Sequence, residues 1–152
     1  GAPPPPRRPR RATAPMTDTI LPTREQMRDA VERYLAAVAD GTPEQIADLY
    51  APDASVEDPA GSVPHEGREA IVDFYRPLAI LSRSTPLAHF RATGGIAAFG
   101  FEVDVHVPGR RITTTPIDVM TFDAEGRITS MRAIWSNEDV RIDDTEQNEE
   151  EQ

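Results

Sequence analysis

Residues 49–59 read LYAPDASVEDP and residues 65–75 read HEGREAIVDFY, and the rest of the chain is interpreted around these two stretches. They place Asp58 immediately before a proline, between two segments that we predict to be helices. Each predicted helix ends in a tyrosine, Tyr50 or Tyr75. We expect the surrounding sequence to bring a phenol and a second carboxyl group towards Asp58.

Asp58 has two interpretations at this point. An aspartate before proline is common at the start of a loop, so a turn residue is the simpler interpretation. The other is a general base, because the apolar neighbours Val56 and Pro59 would desolvate the carboxylate and raise its pKa. The local pattern by itself favours the turn.

The first helix is predicted to begin at Thr23, because Thr23-Arg24-Glu25-Gln26 fits a capping box, and to end at Gly41. Its apolar residues recur at steps of three and four, which indicates one buried face. These residues are Met27, Val31, Tyr34, Leu35 and Val38.

Two shorter helices are predicted to follow. Thr42 caps the second, whose buried face includes Tyr50 and which Pro52 ends. The third begins after Gly67 and ends near Pro77.

Beyond the third helix the pattern is extended, with segments at 87–93, 96–107, 110–122 and 127–137. Short glycine-containing turns separate these segments, which predicts hairpin connections and an antiparallel meander. The fold class is therefore α+β, with three N-terminal helices packed on one face of a curved antiparallel sheet.

Composition limits the chemistry. The 152 residues include no cysteine and no lysine, which excludes thiolate nucleophiles, disulfides and a lysine Schiff base. The net charge of −10 disfavours nucleic acid and anionic membranes as partners. No apolar run is long enough for a membrane span, so a cytoplasmic protein is expected. The three histidines have no metal-ligand spacing, and no metal site is predicted.

Both ends of the chain differ in composition from the middle. Residues 1–22 form a proline- and arginine-rich extension, and residues 142–152 are mostly acidic or amide side chains. Such segments bury too little apolar surface to fold, so both are predicted to be disordered. The remaining 23–141 form one domain.

Asp118 lies in the middle of a predicted strand, where alternation places it on the same face as Pro116, Met120 and Phe122. A buried carboxylate on such a face is costly unless it is paired or protonated, and no cation shares the face. A protonated Asp118 would be a hydrogen-bond donor for a developing oxyanion. The alternative is that this face is solvent-exposed.

The three tyrosines, Tyr34, Tyr50 and Tyr75, all fall on predicted buried helix faces. A buried tyrosine is more often a core residue with a satisfied hydroxyl than a catalytic group. The sequence leaves open whether the three form one hydrogen-bonded cluster. Trp135 shares a strand face with Met131 and Ala133, as part of either the core or a pocket wall.

The order and spacing of several blocks resemble the bacterial ketosteroid isomerases, within the SnoaL-like and nuclear-transport-factor-2-like superfamily. The resemblance covers about residues 24–141. The blocks are Arg33-Tyr34, Ile46 to Tyr50, Asp53 to Pro59, Gly67-Arg68-Glu69, Phe74-Tyr75-Arg76, Ile117 to Met120, Phe122-Asp123 and Ala133 to Ser136.

The resemblance implies a cone-shaped fold with an apolar pocket and a catalytic trio. Asp58 falls on the position of the general base, Tyr34 on the oxyanion-hole tyrosine and Asp118 on the protonated oxyanion-hole aspartic acid. The remaining positions support the trio or the pocket. They are Tyr50 and Tyr75 in a hydrogen-bond network, Phe101 and Trp135 in the apolar wall, and Val56 and Met120 beside the acids.

The implied reaction isomerises Δ5-3-ketosteroids to Δ4-3-ketosteroids by intramolecular proton transfer through a dienolate. No cofactor is expected, and the implied partners are a steroid and a second copy of the chain. Ala60 stands where the family often has phenylalanine, and residues 78–88 border the pocket entrance in related folds.

Three alternatives stay open from the sequence. A non-catalytic steroid- or polyisoprenoid-binding protein of the same fold would have no need of the whole trio. A polyketide cyclase or epoxide hydrolase of this fold would also use a buried aspartate, but without the matched tyrosine and aspartic acid donors. An interaction module leaves the acid at Asp118 unexplained.

Overall fold

The computed structural model describes residues 1–6 and 20–145 of the chain. Three α-helices lie in the second range. They are α1 (Arg24–Asp40), α2 (Pro43–Ala47) and α3 (Arg68–Tyr75). The Thr23 hydroxyl accepts a hydrogen bond from the Gln26 backbone N–H at 3.1 Å, and the Gln26 side chain accepts one from the Thr23 N–H at 2.8 Å. This capping box confirms the predicted start of the first helix.

Ten strands form two hydrogen-bonded sheets within the described residues. The strands are β1 (Tyr50–Glu57), β2 (His65–Glu66), β3 (Ser82–Ser84), β4 (Leu87–Thr93), β5 (Ile96–Phe101), β6 (Val103–Val107), β7 (Arg110–Thr114), β8 (Ile117–Phe122), β9 (Ile128–Ile134) and β10 (Val140–Asp144). The larger sheet has the order β2-β1-β9-β8-β5-β4, and the smaller sheet has the order β10-β7-β6-β3.

One long bent hairpin connects the two sheets. β5 continues into β6 after Glu102, and β7 continues into β8 across Thr115 and Pro116. β5 pairs with β8 in the larger sheet, and β6 pairs with β7 in the smaller one. Because the hairpin bends between these pairings, the sheets diverge and leave a space between them. Helix α1 packs against β4 and β5 of one sheet and β3 of the other, and covers that space.

The predicted α+β class, with helices on a curved sheet, is confirmed. The predicted stripe of apolar residues on α1 is the buried face of this helix, since all five side chains are at most 4% exposed. They pack into a single core with the inward faces of β1, β5, β8 and β9.

Two details of the predicted fold were wrong. Residues 50–57 form strand β1 and do not extend the second helix, which ends at Ala47, so Tyr50 begins a strand. In addition, the sheet is mixed, because β1 lies parallel to β9 while the other pairs are antiparallel. The parallel partner of β1 lies far away in sequence, and no local turn pattern predicts this pairing.

The predicted boundary of the folded domain at residue 141 also needs correction. β10 runs to Asp144 and pairs antiparallel with β7, so residues 142–144 are part of the smaller sheet. The predicted disorder of residues 7–19 and 146–152 falls outside the described residues. Among the helices that are described, none is long and apolar enough to cross a membrane.

Candidate active site

A cavity of about 210 Å³ lies between α1 and the bent hairpin, where the two sheets diverge. Most of its lining is apolar, with side chains from α1, α3, β5, β6 and β9. Six residues with polar side chains line the same space: Tyr34, Asp58, Tyr75, Thr114, Asp118 and Trp135. The cavity therefore brings together the three residues predicted to be catalytic, which come from α1, from the loop after β1 and from β8 and are far apart in sequence.

Asp118 faces the interior, as the alternation along β8 predicted. It is 1% exposed, and its neighbours Met120 and Phe122 on the same face are also buried. Its Oδ1 atom has no hydrogen-bond partner among the described residues. Burial, reinforced by the nearby negative charge of Asp58, raises the pKa of Asp118 well above the ordinary value for an aspartic acid. The neutral acid is therefore favoured, and this form can donate a hydrogen bond into the cavity.

The three tyrosines form one hydrogen-bonded chain, which the sequence had left open. The Tyr75 hydroxyl lies 2.7 Å from the Tyr50 hydroxyl and 2.8 Å from the Tyr34 hydroxyl. Burial, above all other causes, raises the pKa of each phenol well above its ordinary value, so all three are neutral donors. If Tyr50 donates to Tyr75 and Tyr75 donates to Tyr34, the Tyr34 proton is directed into the cavity, because a phenol has one proton to donate.

Asp58 directly follows β1 and is half-buried. Burial raises its pKa, and two opposing effects limit the rise: a hydrogen bond from Trp135 and the positive potential of His65. The Trp135 indole Nε1–H donates to Asp58 Oδ1 at 2.6 Å. Asp58 is thus an aspartate of moderately increased basicity with one oxygen held in place.

Sequence reasoning missed the contact between Trp135 and Asp58. The two residues follow strands that lie side by side, since Glu57 at the end of β1 pairs with Arg132 on β9. The only local signal was the apolar face shared by Trp135, Met131 and Ala133, which predicts a wall and no polar partner. A parallel strand pair was needed to show that the indole meets the carboxylate.

A family profile described as SnoaL-like domain matches residues 31–131, which is most of the folded chain. The chain belongs to the SnoaL-like family. The match begins within α1 before Tyr34 and ends on β9, and it includes Asp58 and Asp118.

One relative and one solved structure extend the comparison for this SnoaL-like protein. A protein named Steroid Delta-isomerase from Nocardioides simplex is 51% identical over 117 residues, which cover 77% of this chain and 95% of that protein. The resemblance to ketosteroid isomerases is thereby confirmed. The solved structure of the epoxide hydrolase/cyclase-like enzyme SalBIII superposes with a TM-score of 0.71 at 24% identity, over 76% of this chain and 95% of that one. At that identity the likeness shows the fold alone.

The residues predicted to support the site of this SnoaL-like protein fall into two groups. Tyr75, Phe101 and Trp135 line the cavity. Tyr50, Val56 and Met120 are buried in the core behind it, at 5%, 0% and 0% exposure. Their predicted role is thus limited to packing and, for Tyr50, to the hydrogen bond with Tyr75.

The loop that carries Asp58 is held at both ends. The Glu57 carboxylate accepts a hydrogen bond from the Gly61 N–H and pairs with Arg132, with Nε and Oε2 3.1 Å apart. The Ala60 N–H donates to the Ala133 carbonyl at 2.7 Å. These contacts fix the backbone on either side of the carboxylate. Across residues 1–6 and 20–145, no group of three or more His, Asp or Glu side chains is placed to hold a metal ion.

Proposed function

We propose that this protein isomerises Δ5-3-ketosteroids to Δ4-3-ketosteroids, with Asp58 as the proton carrier and Tyr34 and Asp118 as the oxyanion hole. The observation that carries the proposal is the buried Asp118 carboxyl, which has an unpartnered oxygen and lines the same apolar cavity as the half-buried Asp58. Identity of 51% to a protein named Steroid Delta-isomerase supports the substrate class.

In the proposed reaction, the Asp58 carboxylate removes a proton from the carbon between the ketone and the double bond. The C–H electron pair forms a new carbon–carbon double bond, and the carbonyl electrons move onto oxygen to give a dienolate. Asp58 then returns the same proton two carbons further along, and the oxygen regains its carbonyl bond. The product is a conjugated Δ4-3-ketone, and no cofactor is needed to balance the step.

Tyr34 and Asp118 would stabilise the dienolate because both are neutral donors in a desolvated site. A hydrogen bond to the carbonyl oxygen strengthens as negative charge develops there, which lowers the barrier more than it stabilises the bound substrate. The chain from Tyr50 through Tyr75 supports this role: with Tyr50 donating to Tyr75 and Tyr75 donating to Tyr34, the Tyr34 hydroxyl keeps its proton for the ligand.

The direct test is the ultraviolet absorbance of a Δ5-3-ketosteroid solution after the protein is added. A rise at the conjugated-enone band is expected. No rise, together with steroid binding in an equilibrium titration, would contradict isomerisation and favour a binding protein of the same fold.

The pH dependence of kcat/KM is expected to report the ionisation of Asp58. Activity should fall as pH decreases through the Asp58 pKa, which burial raises above the ordinary aspartate value. The Trp135→Phe variant removes a hydrogen bond that favours the carboxylate, so its acidic limb should lie at higher pH than in the wild type. Phe101→Leu is the matched control, because Phe101 lines the cavity without a polar atom. If the acidic limb of the kcat/KM profile lay at the same pH in the wild type and in Trp135→Phe, the proposed effect of the indole hydrogen bond on the Asp58 pKa would be contradicted.

We also propose a homodimer formed through the outer face of the larger sheet. Ile117 and Ile134 are register partners on β8 and β9, and both side chains are about half exposed, at 50% and 51%. Ile96 on β5 lies on the same sheet and is 46% exposed. Adjacent exposed apolar side chains favour association. Sedimentation of the wild type should give twice the mass of the chain, and Ile117→Glu should give the single-chain mass. A wild-type monomer at micromolar concentration would contradict the dimer.

A further inference from the structure

One arginine side chain contacts four backbone carbonyls. Arg83 Nε donates to the Val38 carbonyl and Nη2 to the Gly41 carbonyl at 2.9 Å. Nη1 donates to the Leu78 carbonyl at 2.7 Å and to the Leu81 carbonyl at 2.9 Å. A single guanidinium thus joins the end of α1 to the turn that follows α3.

Both elements that Arg83 joins contribute side chains to the cavity wall, Val38 from α1 and Leu78 from the turn after α3, and the half-buried Leu78 lies at an open part of that wall. Tyr34 and Asp118, at the inner end, are 3% and 1% exposed, whereas the cavity-lining Leu78 and Val105 are only half-buried. Leu78 lies on the turn whose carbonyl Arg83 binds. Val105 lies on β6, directly opposite Arg83 in the pairing of β3 with β6.

The contact set requires arginine. The last carbonyls of a helix lack partners within the helix, so donors from elsewhere must satisfy them. A guanidinium presents five N–H groups in a fixed plane and can bind carbonyls on two sides at once. A second contact strengthens the connection to α1, since the Thr85 hydroxyl donates to the Leu35 carbonyl at 2.6 Å.

We propose that Arg83 is a positioning residue that fixes the shape of the open end of the cavity and so determines which steroids bind well. The reacting ketone lies at the inner end with Tyr34 and Asp118, so the opposite end of the steroid lies between Leu78, Val38 and Val105. This inference rests on the proposed steroid isomerase function. Loss of the Arg83 contacts frees the turn at Leu78 and leaves the inner end unchanged.

The test compares Arg83→Met with Arg76→Met. Arg76 lies at the start of the turn that carries Leu78, but its guanidinium pairs with Asp73 at the surface, so Arg76→Met is a matched loss of charge. Estradiol is the equilibrium-binding probe, because its phenol ring has the shape of the proposed dienolate. Arg83→Met is expected to raise the dissociation constant by about tenfold, equivalent to ~1.4 kcal/mol, with kcat within about twofold of the wild type.

A second readout measures selectivity directly. The ratio of kcat/KM between two Δ5-3-ketosteroids, one with a C17 ketone and one with a two-carbon C17 side chain, should move towards one in Arg83→Met and stay constant in Arg76→Met. Arg83→Lys should fall between the wild type and Arg83→Met, and it replaces Arg83→Met if that variant does not fold. Equal dissociation constants and ratios in the Arg83 and Arg76 variants would overturn the proposal, as would a parallel loss of kcat and binding.

Failure of the proposed function would give a different pattern. A wild type that binds estradiol and produces no conjugated enone would contradict isomerisation. In that case the estradiol dissociation constants of Arg83→Met and Arg76→Met would still decide the role of Arg83.

Discussion

Replacing Asp58 with asparagine is expected to remove nearly all isomerisation, with a fall in kcat of about 10⁴, at the upper end of the contribution of a general base. An amide has the size of the carboxylate but cannot accept a proton from carbon. Its oxygen can still accept the hydrogen bond from Trp135, so the loop and the cavity should keep their shape. The initial rate of enone formation at saturating steroid measures the effect.

The same variant should still bind estradiol, because the amide keeps the size of the carboxylate and leaves Tyr34 and the neutral Asp118 in place as hydrogen-bond donors. Asp53→Asn is the matched control, since Asp53 is an exposed aspartate on the same strand, β1. It should retain wild-type turnover. Near-normal turnover in Asp58→Asn would show that another group carries the proton.

Replacing Asp118 with alanine is expected to lower kcat by ~10²–10³, the usual effect of losing one oxyanion donor. Tyr34→Phe removes the other donor and should have an effect of similar size. Both donors bind one oxygen, so the double variant should lose less than the product of the two factors. Asp118→Asn retains an N–H donor and should lie between the wild type and Asp118→Ala.

The Asp118→Asn substitution, which lowers kcat, is expected to increase the free energy of unfolding. Burial raises the pKa of Asp118 in the folded state above its unfolded value, so the unfolded state binds fewer protons between those two pKa values. The free energy of unfolding contributed by this group therefore falls as pH rises through that window. Asp118→Asn has no proton to lose and should be more stable than the wild type at neutral and higher pH. Urea unfolding at a series of pH values measures the difference.

Two outcomes would contradict this assignment. Equal unfolding free energies for the wild type and Asp118→Asn at every pH would show that the acid is not held neutral by burial. Wild-type kcat in Asp118→Ala would show that the carboxyl does not reach the substrate oxygen.

The two carboxyl groups that line the cavity thus differ in how far the apolar surroundings raise their pKa. Asp118 is fully buried with an unpartnered oxygen, which favours its neutral form. Asp58 is half-buried and accepts the indole hydrogen bond, which limits the rise in its pKa and keeps the carboxylate accessible. One group can then act as a base while the other acts as a donor at the same pH.

The sequence by itself determined the elements whose signals are local. The capping box at Thr23 and the apolar stripe on α1 predicted the first helix, and the alternation around Asp118 predicted an inward-facing acid. Both signals depend on residues at most a few positions apart, because the helical and strand periods are short. The resemblance to ketosteroid isomerases added the roles of Asp58, Tyr34 and Asp118, which stay predictions until the variants are measured.

Only the tertiary structure decided which distant groups meet. Tyr50, predicted to end a helix, begins strand β1, which pairs parallel with β9. This pairing places Trp135 within hydrogen-bond distance of Asp58. The fold also connected Tyr34, Tyr50 and Tyr75 through their hydroxyls. The carbonyls that Arg83 binds come from two separate elements. Contacts between residues far apart in the chain depend on how the sheets bend and pack, and no local period encodes them.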